Sequence, residues 1–361
     1  MKKVNKKKVF VKTECLPADK EGIFRASEIL RKGGLVAFPT ETVYGLGANA
    51  LDPEAVEQIF LAKGRPMDNP MIVHIPRLED AGAYGEWTDL ARLLAVAFWP
   101  GPLTVIVPRK TIIPKIVSAG LPSVALRCPS HKAALALLET CGLPIAAPSA
   151  NRSGRPSPTT AKHVMDDLDG LIPLVLDGGA CEVGLESTVV DASGAVPVIL
   201  RPGAVTPEMI AMAVGDCKVS ENVMRLLEDG EAALSPGMKH RHYAPKAKLT
   251  LIKGEQEAVS AIIRCLAADD QGAWVFAMEE NIPRYLGLQV KSLGYNAEDA
   301  AHRLFYLLRQ ADEANVTRIL SETLPENGLG LAVMNRLARA ANFDIIDTQH
   351  PKTDKIERNP R

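Results

Sequence analysis

The chain has 361 residues, 47% hydrophobic and 24% charged, with 42 basic against 43 acidic side chains and a formal net charge of -1. Such a composition is that of an ordinary globular protein long enough for two cores; it excludes a globally basic nucleic-acid binder but leaves room for a local basic cleft. Six cysteines form no CxxC pair and share no ligand spacing with the seven histidines, so neither a disulfide framework nor a zinc site is indicated.

In chain order, MKKVNKKKVF lacks a signal-peptide core and reads as a solvated arm. DKEGIFRASEILRKGG carries apolar residues at helical spacing and stops at Gly33-Gly34. LVAF is a short buried strand that runs into PTETVYGLGANAL, which has neither period and holds Thr40, Glu41, Thr42 and Tyr44. Asp52 and Pro53 cap and open a helix that ends in KGRPMDNPM, Lys63 to Met71. Gly64 can take the left-handed conformation that stops a helix and Pro66 prevents its resumption, so Lys63 and Arg65 should project from a stiff loop with Asn69. Taken alone, the two cations also suit a helix C-terminus and a solvated turn.

MIVHI is a buried strand with His74 near its end; a lone histidine there is more often a hydrogen-bonded core residue than a ligand. DLARLLAVAFW is an amphipathic helix broken at WPGP, and LTVIVP a strand. The longest apolar stretch, Leu93 to Val107, is interrupted by Pro100-Gly101-Pro102 and is too short to span a bilayer, so a cytoplasmic location without membrane contact is expected. SVALRCP leaves Arg127 at a strand end, where a structural carboxylate or an anionic ligand must meet its guanidinium. PIAAPSANRSGRPSPTT supplies Ser149, Asn151, Ser153, Gly154 and Ser157 before a helix opened at Thr159-Thr160. Small hydroxyls there can bind phosphate, although a Ser/Pro-rich surface turn has the same composition, and neither the Walker pattern nor the dinucleotide fingerprint is present.

LVLDGG and ESTVVDAS read as strands, and PVILRPG repeats at Arg201 the placement of Arg127. Four cations at loop or strand ends (Lys63, Arg65, Arg127, Arg201) beside clustered hydroxyls point to a site for polyanionic and zwitterionic ligands. Thr206 to Gly230 reads as helical, and SPGMKHRHYAPKAKL then alternates basic and aromatic residues between prolines, as a semi-rigid spacer or a segment built to lie on something. From Lys248 strands and helices alternate strictly, which argues for a small parallel α/β domain, and PKTDKIERNPR reads as a disordered tail.

PTETVYGLG, KGRPMDNPM with MIVHI, WPGPLT, SVALRCP, APSANRSGRPSPT, LESTVVD, ILRPG and SPGMKHRHYAP occur in an order that resembles the two-domain form of the YrdC/Sua5 family, over Leu16 to Asn342. The resemblance implies an α/β chain: a YrdC-like twisted open-sheet domain with a basic concave cleft over 16–214, a connector or lid over 215–247, a Rossmann-like parallel domain over 248–345 and a tail over 346–361. It also implies a nucleotidyltransferase. L-threonine and bicarbonate (or CO2) form N-carboxythreonine, whose carboxylate attacks the α-phosphate of ATP, giving threonylcarbamoyl-adenylate and pyrophosphate. A separate transferase complex then passes the threonylcarbamoyl group to the adenosine beside the anticodon of tRNA.

Because the nucleophile belongs to the substrate, the protein need supply only alignment and charge neutralisation. Lys63 and Arg65 are the expected catalytic cations at the phosphates. Asn69, Ser123, Ser149, Asn151, Ser157, Arg201 and Tyr243 complete the expected ATP contacts, Tyr243 as part of a lid. The resemblance assigns Thr40, His74, Arg127, Ala147 and Ser187 to L-threonine. Mg2+ would arrive with ATP, held more by nucleotide than by a protein cage, and no tightly bound cofactor or protein metal site is expected. A weak tRNA contact stays open. Two other readings compete: a non-catalytic RNA-binding module, which the near-neutral charge disfavours, and a carbamoyltransferase-type maturation domain, whose zinc-finger and acylphosphatase segments have no counterpart in this sequence.

Overall fold

The computed structural model describes residues 12–225, 231, 234–235 and 243–349. The lysine-rich arm up to residue 11, the connector residues Pro236, Gly237, Lys239, His240, Arg241 and His242, and the tail from residue 350 lie outside the described residues. The chain divides into two compact units, Met1–His242 and Tyr243–Arg361.

The first unit begins β1 (Glu14–Pro17), α1 (Lys20–Arg31), β2 (Val36–Phe38), β3 (Gly45–Asn49), α2 (Pro53–Lys63), β4 (Ile72–His74), α3 (Asp89–Phe98), β5 (Leu103–Pro108) and β6 (Ser123–Arg127). It continues α4 (Lys132–Cys141), β7 (Ile145–Ala147), α5 (Ala161–Leu168), β8 (Leu174–Asp177), β9 (Thr188–Asp191), β10 (Val198–Arg201), α6 (Pro207–Val214) and β11 (Lys218–Val219). The strands form one mixed sheet in the order β1-β8-β2-β3-β7-β4-β6-β5-β9-β10-β11.

Helices cover the two faces of this sheet unequally. On one face α2, α3, α5 and α6 contribute Val56, Ile59, Leu94, Val164 and Ile210 to a core that includes Leu46, Val73, Val105 and Leu126. Burying each such side chain stabilises by roughly 1.5–3 kcal/mol. On the other face α1 and α4 bring Leu30, Leu137 and Leu138 onto Val36, Phe38, Ile145 and Leu174. Ile72 of β4 stands opposite Ala147 of β7, so it shares that second face. Beyond it Ile72, Ala125, Ile106, Val189 and Leu200 make a smaller cluster to which no described helix contributes. His74, two residues on from Ile72 in β4, and Arg127, two on from Ala125 in β6, share that face.

Two sequence expectations change here. The helical reading of Thr206 to Gly230 is too long: α6 ends at Val214, where Gly215 turns left-handed (φ 94°), and Lys218–Val219 joins the sheet edge beside β10. The segment read as aperiodic after LVAF contains β3, whose GLGAN sequence lacks the β-branched residues that mark strands.

The second unit runs β12 (Lys248–Lys253), α7 (Gln256–Ala268), β13 (Trp274–Met278), β14 (Gln289–Gly294), α8 (Ala297–Glu313), β15 (Arg318–Glu322), α9 (Gly328–Ala340) and β16 (Ile345–Asp347). Its sheet is wholly parallel, ordered β14-β13-β15-β12-β16, as the strand–helix alternation requires, with β14 and β16 added to the strands read from sequence. At the end of β15 the buried Glu322 accepts hydrogen bonds from the Tyr285 hydroxyl (2.6 Å), Gln256 Nε2 (2.5 Å), the Met278 amide (3.0 Å) and Asn281 Nδ2 (3.0 Å). No helix of the described residues is long and apolar enough to cross a membrane.

Candidate active site

Residues 39–44 leave β2 and form a tight hydroxyl-rich turn. The Thr40 hydroxyl donates to the Val43 carbonyl (2.6 Å), accepts from the Thr42 and Val43 amides (both 3.2 Å) and lies 2.8 Å from the Thr42 hydroxyl. Tyr44 ties its own turn to two other loops. Its amide donates to Pro158 O (2.9 Å), its carbonyl accepts from the Ala150 amide (2.8 Å) and its phenol donates to Gly179 O (2.7 Å).

Arg127 ends β6 directly opposite His74 of β4. Its guanidinium donates from Nη2 to Glu41 Oε1 (2.7 Å) and to the Thr42 hydroxyl (2.9 Å). Of the two partners the sequence allows for Arg127, the structural carboxylate is therefore present. Strands β3, β7 and β4 separate β2 from β6, a span of roughly 19 Å in the sheet, so Glu41 meets Arg127 because its loop folds over the sheet face. Both side chains are 4% exposed. His74, edge-on to Phe38 with centroids 5.9 Å apart, is buried as well. Burial, and next the Arg127 charge, hold its pKa down to about 3, so it is a neutral hydrogen-bonding group near pH 7.

Lys63 and Arg65 stand at the stop made by Gly64, which takes the expected left-handed conformation (φ 62°). They do not project outward as the sequence suggested. Lys63 turns in, donating to Ser149 O (2.5 Å) and Asn151 O, while its own carbonyl accepts from the Ser153 amide (2.9 Å). Arg65 folds back on Asn69 O (3.2 Å) and Pro70 O (3.0 Å). A lysine at a helix C-terminus thus braces the 148–158 loop, where Ser149 donates to Asn151 Oδ1 (2.5 Å) and Asn151 Nδ2 to Arg152 O (2.8 Å) and Arg155 O (2.9 Å).

A third group lies on the strands beyond. Ser187 Oγ is 2.8 Å from the Thr104 hydroxyl and accepts from Arg201 Nη2 (3.1 Å), and Arg201 also holds the Ser187 carbonyl through Nε (3.1 Å). Ser157 donates to the Glu186 carboxylate. Gly203 is what lets this loop close: a Cβ there would sit 2.4 Å from the Thr188 nitrogen.

Four of these buried groups hold polar atoms without a hydrogen-bond partner among the described residues: both amide atoms of Asn69, His74 Nδ1, Arg127 Nε and Glu41 Oε2. Unsatisfied buried polar atoms are rare in folded chains and mark positions where a ligand or water completes the bonding. The structure brings Thr40 into contact with Arg127 through Thr42, pairs His74 with Arg127, Lys63 with Ser149 and Asn151, and Ser187 with Arg201. Ala147 stands opposite Ile72 in the same sheet. Ser123 starts β6, about 13 Å along the strand from Arg127, at the end where the Asn69 loop enters the parallel strand β4. Tyr243 belongs to the second unit, where its ring packs on Phe305 (5.2 Å) near Arg336. Glu41, Glu186 and Thr104 were not among the candidates; the first two adjoin candidates in PTET and LEST, and Thr104 ends the WPGPLT motif. No group of three metal-binding side chains occurs among the described residues.

Residues 28–203 match the Sua5/YciO/YrdC family described as "Telomere recombination", and 205–342 match "Threonylcarbamoyl-AMP synthase, C-terminal domain". Threonylcarbamoyl-AMP synthase of Pyrococcus abyssi is 46% identical over 324 residues, 89% of this chain and 94% of the relative. The Bacillus subtilis protein of that name is 46% identical over 341 residues, 92% and 97%. A crystal structure of P. abyssi Sua5 complexed with L-threonine superposes with a TM-score of 0.86 at 42% identity, covering 93% of this chain and 99% of that one. The chain belongs to the two-domain YrdC/Sua5 family of threonylcarbamoyl-AMP synthases.

Proposed function

We propose that this protein makes threonylcarbamoyl-AMP from L-threonine, bicarbonate or CO2, and ATP, releasing pyrophosphate, and that the product serves threonylcarbamoyl modification of the tRNA adenosine next to the anticodon. The observation that carries the reading is the set of buried polar atoms left unpaired among the described residues on two loop residues, Glu41 and Asn69, and two strand ends, His74 and Arg127, within a family whose P. abyssi member is described with L-threonine bound. Lys63, Arg65, Asn69, Ser123, Ser149, Asn151, Ser157 and Arg201 are assigned to ATP. Thr40, His74, Arg127, Ala147 and Ser187 are assigned to threonine. Lys63 and Arg65 neutralise charge developing at the phosphates, and Mg2+ accompanies the nucleotide. Tyr243 is likewise assigned to ATP. If Tyr243→Ala leaves ATP affinity unchanged, that role is wrong. The product passes to a separate transferase, and the cytoplasm is the compartment this reading requires.

The test is to incubate the protein with ATP, bicarbonate and single amino acids and to measure pyrophosphate. Release that depends on both threonine and bicarbonate is expected. Release indifferent to threonine, or none at all, overturns the assignment.

A further inference from the structure

Glu41 and Arg127 are an incomplete pair. A guanidinium and a carboxylate that serve only to neutralise each other in a core normally meet as two parallel forks, which satisfies Nε, one Nη and both carboxylate oxygens. Here one arm of each is engaged, Nη2 on Oε1 at 2.7 Å. The second donor of Arg127, Nε, and the second acceptor of Glu41, Oε2, have less than 1 Å² exposed and no hydrogen-bond partner among the described residues. The loop holding Glu41 is not free to rotate into a better fit. Thr40 ties it from one side, and the Val183 amide donates to the Glu41 carbonyl at 2.8 Å on the other. The other groups facing the carboxylate are the thiols of Cys128 and Cys181, which burial keeps protonated, and His131, whose pKa burial lowers.

We propose that Glu41 is the specificity-determining residue that reads the ammonium group of the amino acid. Together with Arg127 it forms a two-charge clamp: the α-carboxylate meets Arg127 Nε and the α-ammonium meets Glu41 Oε2. An α-amino acid carries its opposite charges two bonds apart, and the pair offers one complementary atom to each. The clamp and the zwitterion are each neutral overall, so the closed complex buries no net charge. A ligand that lacks the ammonium leaves Oε2 unpaired and is rejected. This inference rests on the threonine reading above, since it names the group that recognises one end of that substrate.

The experiment measures equilibrium binding, in the presence of ATP, of L-threonine and of 3-hydroxybutyrate of matching configuration, which replaces the ammonium by hydrogen and so offers Oε2 no donor. Wild-type protein should prefer threonine by about tenfold to a hundredfold, the range for a hydrogen bond to a charged group. Glu41→Gln, which keeps the shape and removes the charge, should erase that preference by weakening threonine alone. Equal weakening of both ligands would mean that Glu41 only holds Arg127 in place, and the inference is lost. Should Glu41→Gln not fold, the wild-type comparison decides by itself: equal binding of the two ligands overturns the clamp. A wild type that binds no threonine at all overturns the underlying functional reading instead, a result distinct from either.

Discussion

Two buried glutamates end up in opposite situations in the two units. Glu322, at the carboxyl end of β15, accepts four hydrogen bonds from four different residues. Glu41 binds Arg127 with one oxygen, and its other oxygen has no hydrogen-bond partner among the described residues. Burial is nearly equal, 2% against 3% exposed, so exposure does not separate them. What separates them is whether the protein finishes the bonding. A completed carboxylate fixes the turns around it, whereas a half-completed one keeps its remaining valence for something else.

The contrast can be broken most severely at Arg127. Arg127→Leu leaves Glu41 as a lone buried charge, which should cost about 3–5 kcal/mol and abolish threonine-dependent pyrophosphate release. The double variant Arg127→Leu/Glu41→Met should recover most of that stability in urea titrations while remaining inactive. A double variant as unstable as the single one would show that the pair is not the source of the cost. Glu322→Ala strands four donors and should destabilise the second unit by about 3 kcal/mol, read as a shift of its unfolding midpoint. Little change there would undo the distinction.

A smaller effect concerns acid. The His74 imidazole titrates near 3 in the folded chain against an ordinary 6.5, so between those values the unfolded chain binds the extra proton. Its contribution to stability is full above about 6.5 and is lost as pH falls toward 3. His74→Gln should flatten that part of the stability–pH curve. The smallest difference expected is between substrates: serine, lacking one methyl, should react about 10–200-fold less efficiently than threonine, and valine, which leaves hydroxyl partners unpaired, should fare worse. Equal turnover of valine in the pyrophosphate assay would show that the hydroxyl pocket is misassigned.

Much of this was legible locally. The Asp52 cap, the Gly64 stop and the strands ending at His74, Arg127 and Arg201 follow from neighbouring residues, and the structure realises each. What joins distant segments was not legible. No local pattern tells that Glu41 crosses to Arg127, that Lys63 turns inward to the Ser149 carbonyl, or that Ser157 donates to Glu186. β3 escaped notice because glycine and alanine carry no strand signature, and α6 was overextended because the sequence beyond Gly215 keeps enough apolar residues to imitate a helix.

Tyr44 carries a mechanical consequence. Its peptide group and its phenol pin segments that lie more than a hundred positions away in the chain, around Ala150, Pro158 and Gly179. These segments consequently share a pivot, and none can swing aside without straining the others. The Gly178 amide also donates to the phenol (3.2 Å), so in hydrogen-exchange experiments the amides of Tyr44, Ala150 and Gly178 should open in concert, and removing the single phenolic oxygen should loosen all three together.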